Sequence, residues 1–492
     1  HSLHHATLKT ISRHTPRTAK AFKIPTTVDF SQDDSRGLTI LEVTTADRPG
    51  LMARLGSVLS CYAVSIHGAK IQTLGEKVED IFFLADASGG QLTDTALVNQ
   101  LKSDLIAELD GLTSDPRHVA VRARYLNAGL TLLQPYPFER LATLLGNSEP
   151  ALNPIIPLTM GEPQHPPPDR AVALLQEHAP LVAKYPATQG RPQLRDAIAK
   201  WLEKRFVLPS IDPGRHVLPL NGTREGLFAL AQAVISTDQA GAVICPNPFY
   251  QIYEGAALLA GSQPLLLNCD EHNGFLPDID LVTPAQWQNC QLVYLCTPGN
   301  PGGAVMPSGQ LQRLIALAHE HNFLIASDEC YSEIYPDEDV PPTGLLEAAA
   351  AMGNTTFKHC LCFHSLSKRS NLPGLRSGFV AGDPQWIAHF RRYRTYHGCA
   401  MPLHHQIASE WAWGDEEHVA TNRARYRQKF EAVAPILSAA LPTPKPDAGF
   451  YLWPQTPVDD ERFAQTVFER VGVSLLPGSY LARETATGNP GA

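Results

Sequence analysis

Apolar and polar positions change rhythm several times along this chain, and each change predicts an element. Residues 1–36 are polar and weakly patterned and predict none. From Leu38 to Thr45 the two kinds alternate, the period of a half-buried strand. Asp47-Arg48-Pro49-Gly50-Leu51 then reads as a turn, after which Leu55, Val58 and Leu59 recur at helical spacing. Two further strands fit Val64 to Thr73 and Val78 to Ala85, with Gly75-Glu76 as the hairpin turn between them, and a polar helix fits residues 93–109. The order β-α-β-β-α is the ferredoxin-like arrangement short of its last strand, for which His118 to Tyr125 is the candidate.

Residues 113–126 carry Asp115-Pro116 and several charges and read as a linker. Beyond it short strands (216–220, 242–245, 291–296, 323–327 and 359–363) alternate with helical runs up to residue 492. That alternation predicts an α/β fold built on a mostly parallel sheet covered on both faces.

Composition narrows the function classes. With 40 basic against 49 acidic residues the net charge is −9, which argues against nucleic acid or an anionic membrane as partner. No apolar run approaches the roughly 20 residues of a membrane span, and no secretory signal opens the sequence. Nine scattered cysteines fit reduced thiols in a cytoplasmic protein; Cys360 and Cys362 form the only close pair, which is too little to define a metal site.

Five segments, each following a predicted strand, carry candidate chemistry. Ser365-Leu366-Ser367-Lys368 places an amine just past a strand end, with Arg376 eight residues later. Asp328 and Tyr331, in Asp328-Glu329-Cys330-Tyr331, are spaced so that one turn aims both at a single small ring. Asn221-Gly222-Thr223-Arg224 opens a helix, where free amides and the helix dipole favour an anion. Pro298-Gly299-Asn300-Pro301-Gly302-Gly303 is a stiff turn presenting Asn300, and Asn247-Pro248-Phe249-Tyr250 offers an aromatic face. Taken singly, each also fits a plain loop, helix cap, turn or core aromatic.

Taken together and in this order, these motifs resemble the class I and II aminotransferases of fold type I over residues 127–492. The resemblance implies a large domain with a seven-stranded, mostly parallel sheet plus a small α/β domain, and pyridoxal 5'-phosphate as cofactor. It further implies that Lys368 bonds the cofactor aldehyde and moves the substrate proton, that Asp328 pairs with the ring nitrogen, and that Tyr331 and Asn300 meet the ring hydroxyl. Tyr250 would stack on the ring, while Gly222, Thr223, Arg224, Ser365 and Arg376 would hold the phosphate. Gly161 matches the stretch lining the substrate carboxylate, with Asn300 also on the substrate side. Tyr185 matches a tyrosine that reaches a neighbouring subunit's phosphate, which implies a homodimer acting on an amino acid and a keto acid. Two departures stand out: Asn300-Pro301-Gly302-Gly303 lacks the usual threonine, and the arginine that clamps the substrate carboxylate has no counterpart up to Ala492, so the domain is expected to be C-terminally truncated. Leu133-Gln134-Pro135-Tyr136-Pro137-Phe138-Glu139-Arg140-Leu141 is similar to N-succinyl-diaminopimelate aminotransferases of lysine biosynthesis, implying glutamate and 2-oxoglutarate as the exchanging pair.

Residues 37–112, through Asp47-Arg48-Pro49-Gly50-Leu51 and Ser65-Ile66-His67-Gly68-Ala69-Lys70-Ile71, resemble an ACT domain like the last one of the PII uridylyltransferase/uridylyl-removing enzyme. This implies an amino-acid ligand loop at Asp47, Gly50 and Leu51. A second functional reading therefore stays open, an amino-acid-sensing fragment joined to an impaired aminotransferase. A third is another enzyme of the same fold and cofactor, such as a C–S lyase or an aspartate- or alanine-type aminotransferase.

Overall fold

The computed structural model describes residues 26–46, 51–62, 64–74, 77–86, 89–110, 127–236 and 241–492. The chain divides into two units at Asn127/Ala128.

In the first unit the strands are β1 (Thr27–Asp33), β2 (Leu38–Ala46), β3 (Ser65–Lys70), β4 (Thr73–Leu74) and β5 (Lys77–Ala85). They pair antiparallel in the order β1-β2-β5-β3, with β4 also on β5. Alternate residues of β5 are buried, as period-two patterning demands, and Phe82 and Leu84 meet Leu55, Leu59, Leu101 and Leu105 in the core beneath the helices Leu51–Cys61 and Thr95–Asp110. Two expectations change. The strand beside β2 comes from the segment expected to be featureless: Thr27–Asp33 has a single fully buried side chain, Val28, too little for a visible alternation, and the antiparallel ladder to β2 holds it. The single strand expected from Val64 to Thr73 is two, with an irregular register between Ile66 and Gly68. The candidates Asp47, Gly50 and His118 to Tyr125, the turn Gly75-Glu76 and the linker 113–126 lie outside the described residues; Leu51 starts its helix and is buried.

The second unit is built on β7 (Val217–Leu220), β8 (Ala242–Asn247), β9 (Pro264–Asn268), β10 (Cys290–Cys296), β11 (Leu324–Asp328), β12 (Cys360–Ser365) and β13 (Gly378–Gly382). Their order is β7-β13-β12-β11-β10-β8-β9, parallel throughout except for β13, which runs against both neighbours. Two of these, β9 and β13, escape the periodicity. β13 is Gly-Phe-Val-Ala-Gly, poor in strand formers, and its glycines are required by close approach: a Cβ on Gly378 would meet the His364 carbonyl at 2.7 Å. Successive residues of the central strands feed two separate cores. Ile244, Val293 and Ile325 face one helix layer, and Val243, Leu292 and Leu324 face the other. A second, two-stranded sheet pairs β6 (Ile156–Pro157) with β14 (Val473–Ser474), beside the helices Pro137–Leu145 and Asp460–Val471.

This topology sends Leu220, Asn247, Cys296, Asp328 and Ser365 to the carboxyl ends of five parallel strands, the edge where such sheets place ligands. Register aligns them further: Cys296 is opposite Asp328, Asp328 opposite Phe363, and Gly378 bridges Leu220 and Ser365.

Behind that edge, the helix Pro384–His397 contributes Arg394, which is fully buried and pairs with Glu225; Glu225 in turn accepts the Asn221 amide at 3.0 Å. Removing the cation strands a largely buried carboxylate. Arg394→Ala is expected to cost about 3–5 kcal/mol, read from the urea unfolding of this unit, whereas the double variant Arg394→Met with Glu225→Gln costs clearly less. Equal losses in the two would count against the pair.

Candidate active site

Lys368 sits in a single helical turn, Leu366–Arg369, directly after β12. Ser365 caps that turn, its hydroxyl accepting the Ser367 amide at 3.1 Å and donating to the Ser367 hydroxyl at 2.9 Å. The turn is anchored from behind. Arg369 is buried between Trp201 and Trp413, donates to the Ala412 carbonyl at 2.6 Å and pairs with Glu416. Asn422 donates to the Lys368 and Arg369 carbonyls at 3.2 and 3.3 Å.

The Lys368 Nζ donates to the Gly161 carbonyl and lies 5.2 Å from the Phe450 ring. Burial depresses its pKa, Arg376 pushes it the same way, and Cys330, Glu162 and Asp328 oppose the fall. Asp328 therefore acts on the same pocket as the lysine. Its carboxyl is 5% exposed, and burial raises its pKa against the hydrogen bonds from Cys330 and Tyr253. Tyr253 donates to Oδ2 at 2.7 Å, and the Cys330 amide to Oδ1 at 3.3 Å. Among the described residues neither Lys368 nor Asp328 takes part in an ion pair.

Tyr331 is buried, its hydroxyl 2.8 Å from that of Tyr451. Gly161 is forced by the same tyrosine: a Cβ there would stand 2.7 Å from the Tyr451 Cζ. Gly222 has φ +86° and receives the Arg376 guanidinium so closely that a Cβ would lie 2.7 Å from its Cζ. Arg376 is itself left-handed, at φ 53°, and its Nη1 donates to the Pro373 carbonyl at 3.0 Å. Thr223 starts the helix Thr223–Val234, with its hydroxyl 3.1 Å from the Cys330 sulfur. Gly222, Thr223, Ser365, Arg376, Asp328, Tyr331, Lys368 and Gly161 are thus brought to one strand-end pocket. Tyr250 lies half-buried at its side, edge-on to Tyr253 at 5.9 Å, its hydroxyl pKa raised by burial. Asn300 is half-buried, and its side chain has no hydrogen-bond partner among the described residues. Arg224 turns outward over the Tyr136 ring at 5.7 Å, and Tyr185 is fully exposed.

The residues that motif reading missed are Tyr253, Cys330, Ser367, Phe450, Tyr451 and Asn422. Three carried a signal: Tyr253 is three residues past Tyr250, Cys330 two past Asp328, and Ser367 adjoins the lysine. The other three arrive from more than fifty positions away and had none.

Pyridoxal phosphate fits this donor set. A pyridinium nitrogen would answer the buried carboxyl, an aldehyde would take up the unpaired amine, and the glycine-lined approach of Arg376 with the Ser365, Ser367 and Thr223 hydroxyls suits a phosphate. For metals, one grouping exists among the described residues, Glu225, His397 and Cys399 with ligand atoms within 4.8 Å, but Glu225 is already engaged by Arg394. Cys360 and Cys362 lie in the core, their thiol pKa values raised by burial. Among the described residues no helix is long and apolar enough to cross a membrane.

Comparison with known proteins agrees with the pocket. The family model "Aminotransferase class I and II" matches residues 153–487. The LL-diaminopimelate aminotransferase of Desulforudis audaxviator is 31% identical over 353 residues, covering 70% of this chain and 88% of that protein. The crystal structure of an aminotransferase from Neisseria meningitidis superposes with a TM-score of 0.72 at 44% identity, covering 74% of this chain and 93% of that one. A probable N-succinyldiaminopimelate aminotransferase from Thermus thermophilus superposes at 0.63 with 26% identity, over 72% and 93%. Strand ends that gather a lysine, a buried aspartate and an arginine at a glycine are what that family's chemistry requires, and the chain belongs to the pyridoxal-phosphate-dependent class I and II aminotransferases.

Proposed function

We propose that this chain transfers an amino group from glutamate to the 6-keto acid counterpart of a diaminopimelate, N-succinyl-LL-2,6-diaminopimelate being the first candidate product, with 2-oxoglutarate as the released keto acid. The observation that carries the transamination reading is the Lys368 amine sharing a pocket with the buried Asp328 carboxyl, neither of them in an ion pair among the described residues. The diaminopimelate class rests on the names of two relatives, one of LL-diaminopimelate and one of N-succinyldiaminopimelate.

When bound, pyridoxal phosphate supplies an aldehyde that accepts amino groups and a ring that takes up electrons from the adjacent carbon. The protein supplies the rest. Lys368 would bond the aldehyde carbon and, once free, would act as the base that takes the substrate Cα proton and delivers it to that carbon, on the far side of the substrate nitrogen. Asp328 would keep a proton on the ring nitrogen. Tyr331 and Asn300 would meet the ring hydroxyl, Tyr250 would cover one ring face, and Gly222, Thr223, Ser365 and Arg376 would hold the phosphate, with Arg224 from the rim. Gly161 and Asn300 line the substrate side, and the exposed Tyr185 reaches the phosphate of a second copy in a homodimer. We further propose that residues 37–112 form an ACT-type module whose ligand loop contains Asp47, Gly50 and Leu51; the antiparallel sheet of β2, β3, β4 and β5 with two helices supports it.

Lys368→Ala is expected to lower the rate of keto-acid formation roughly 10³-fold or more; a wild-type rate would refute the assignment. A screen of amino donors against 2-oxoglutarate tests the substrate class, and turnover of other amino acids with none of diaminopimelate or its N-succinyl derivative would overturn it. The base must be neutral, so the rate rises with pH through the lysine's pKa. Because burial lowers that pKa, the rising limb is expected below the ordinary lysine value, and Phe450→Ser, which admits water, moves it upward. For the shared site, mixing inactive Lys368→Ala and impaired Tyr185→Phe chains restores activity in the heterodimer if the tyrosine serves its neighbour; no gain on mixing sinks the shared pocket.

A further inference from the structure

The carboxyl of Asp328 is met by neutral donors on both oxygens. On one side stands the Tyr253 hydroxyl at 2.7 Å, and on the other the Cys330 amide at 3.3 Å. The Cys330 thiol is a further hydrogen-bond partner of the carboxyl. Its sulfur also lies 3.1 Å from the Thr223 hydroxyl, on the first residue of the helix that opens at Gly222. One line of contacts, Thr223 to Cys330 to Asp328 to Tyr253, thus runs across the pocket floor from the anion cradle to the ring-nitrogen position.

Tyr253 is held rigidly for this task. It is fully buried and stacked on Tyr294 at 4.8 Å and 12°, and the Tyr294 hydroxyl donates to the Leu227 carbonyl at 2.6 Å. Cys330 is only half-buried, unlike the cysteines of the core, so part of it faces the pocket.

We propose that Tyr253 and Cys330 are positioning residues that hold Asp328 as an aimed anion beneath the cofactor ring nitrogen, with Cys330 coupling it to Thr223. The proposal rests on the reading of Asp328 given above. The physical reason is a balance. Burial favours the neutral acid, while donors to the carboxylate favour the anion. The titratable groups facing Asp328 are Tyr250 and Tyr253 from the segment after β8, Cys296 from β10, Cys330, His364 from β12, Lys368, and Tyr451 from the far part of the chain. Without the hydroxyl and thiol donors the shared proton moves from ring nitrogen to carboxyl. The ring then loses its positive charge and becomes a poorer electron acceptor.

The test uses the full chain loaded with pyridoxal phosphate and three variants, Tyr253→Phe, Cys330→Ala and Cys330→Ser, with Asp328→Asn as reference. A ring that loses its proton withdraws fewer electrons from the nitrogen of Lys368, so the pH midpoint of the bound cofactor's visible absorbance moves upward. Tyr253→Phe and Cys330→Ala are expected to raise it by about one unit and to slow substrate proton removal about tenfold with KM little changed, while Cys330→Ser, which keeps a donor, stays near wild type. If Asp328→Asn shifts the midpoint and neither Tyr253→Phe nor Cys330→Ala does, the inference fails and the Asp328 reading stands. If Asp328→Asn leaves the midpoint unmoved, that reading fails and takes the inference with it. Should Tyr253→Phe not fold, the contrast between Cys330→Ala and Cys330→Ser decides alone.

Discussion

An amine and a carboxyl group buried in one pocket, each without a counter-ion among the described residues, are the constraint around which the second unit is arranged. Burying either charge costs free energy that a folded chain ordinarily recovers through an ion pair. A bound molecule with a cation-forming ring nitrogen at one edge and an amine-reactive carbon at the other, as pyridoxal phosphate has, would supply that recovery. The depressed basicity of Lys368 and the raised pKa of Asp328 express that same unfilled requirement from its two sides. Pairing them directly would remove the tension and, with it, the reactive amine.

Holding such a site open demands rigidity behind it. The lysine's turn is only four residues long and has little stability of its own, so its neighbour Arg369 is sunk between two tryptophans and Asn422 fixes the carbonyls on either side of the peptide link. The carboxyl gains its rigidity from the sheet: Asp328 is paired in register with both Cys296 and Phe363. Two glycines set the pocket's dimensions. Gly222 admits the Arg376 guanidinium and Gly161 admits Tyr451, and any side chain at either would displace a group the site uses. Close backbone approach, rather than a deep cavity, brings arginine, lysine and tyrosines together.

Much of this was legible in advance. Short dense apolar runs between helical stretches located the central parallel strands, because each must bury both faces. β1 was not legible because ladder pairing rather than side-chain burial holds it, and β13 because only three residues between two glycines carry its buried side chains. The motif residues that reach the pocket lie at strand ends, where a short stretch of sequence determines both the position and the direction of its side chains. Tyr451, Phe450 and Asn422 come from a different part of the chain, and no local spacing announces that they meet Tyr331, Lys368 and Gly161.

The sequence by itself determined the α/β class and the cofactor chemistry and pointed to Lys368 as the candidate lysine, since these depend on residue type at a strand's end and on motif order, both local properties. Only the tertiary structure decided that the N-terminal segment supplies an edge strand, that Arg224 faces the rim while Arg376 fills the cradle, and that Tyr253 and Cys330 converge on Asp328. Those outcomes depend on which strands lie side by side and how far a side chain reaches across them. Nonlocal packing fixes such distances, and linear order does not encode them.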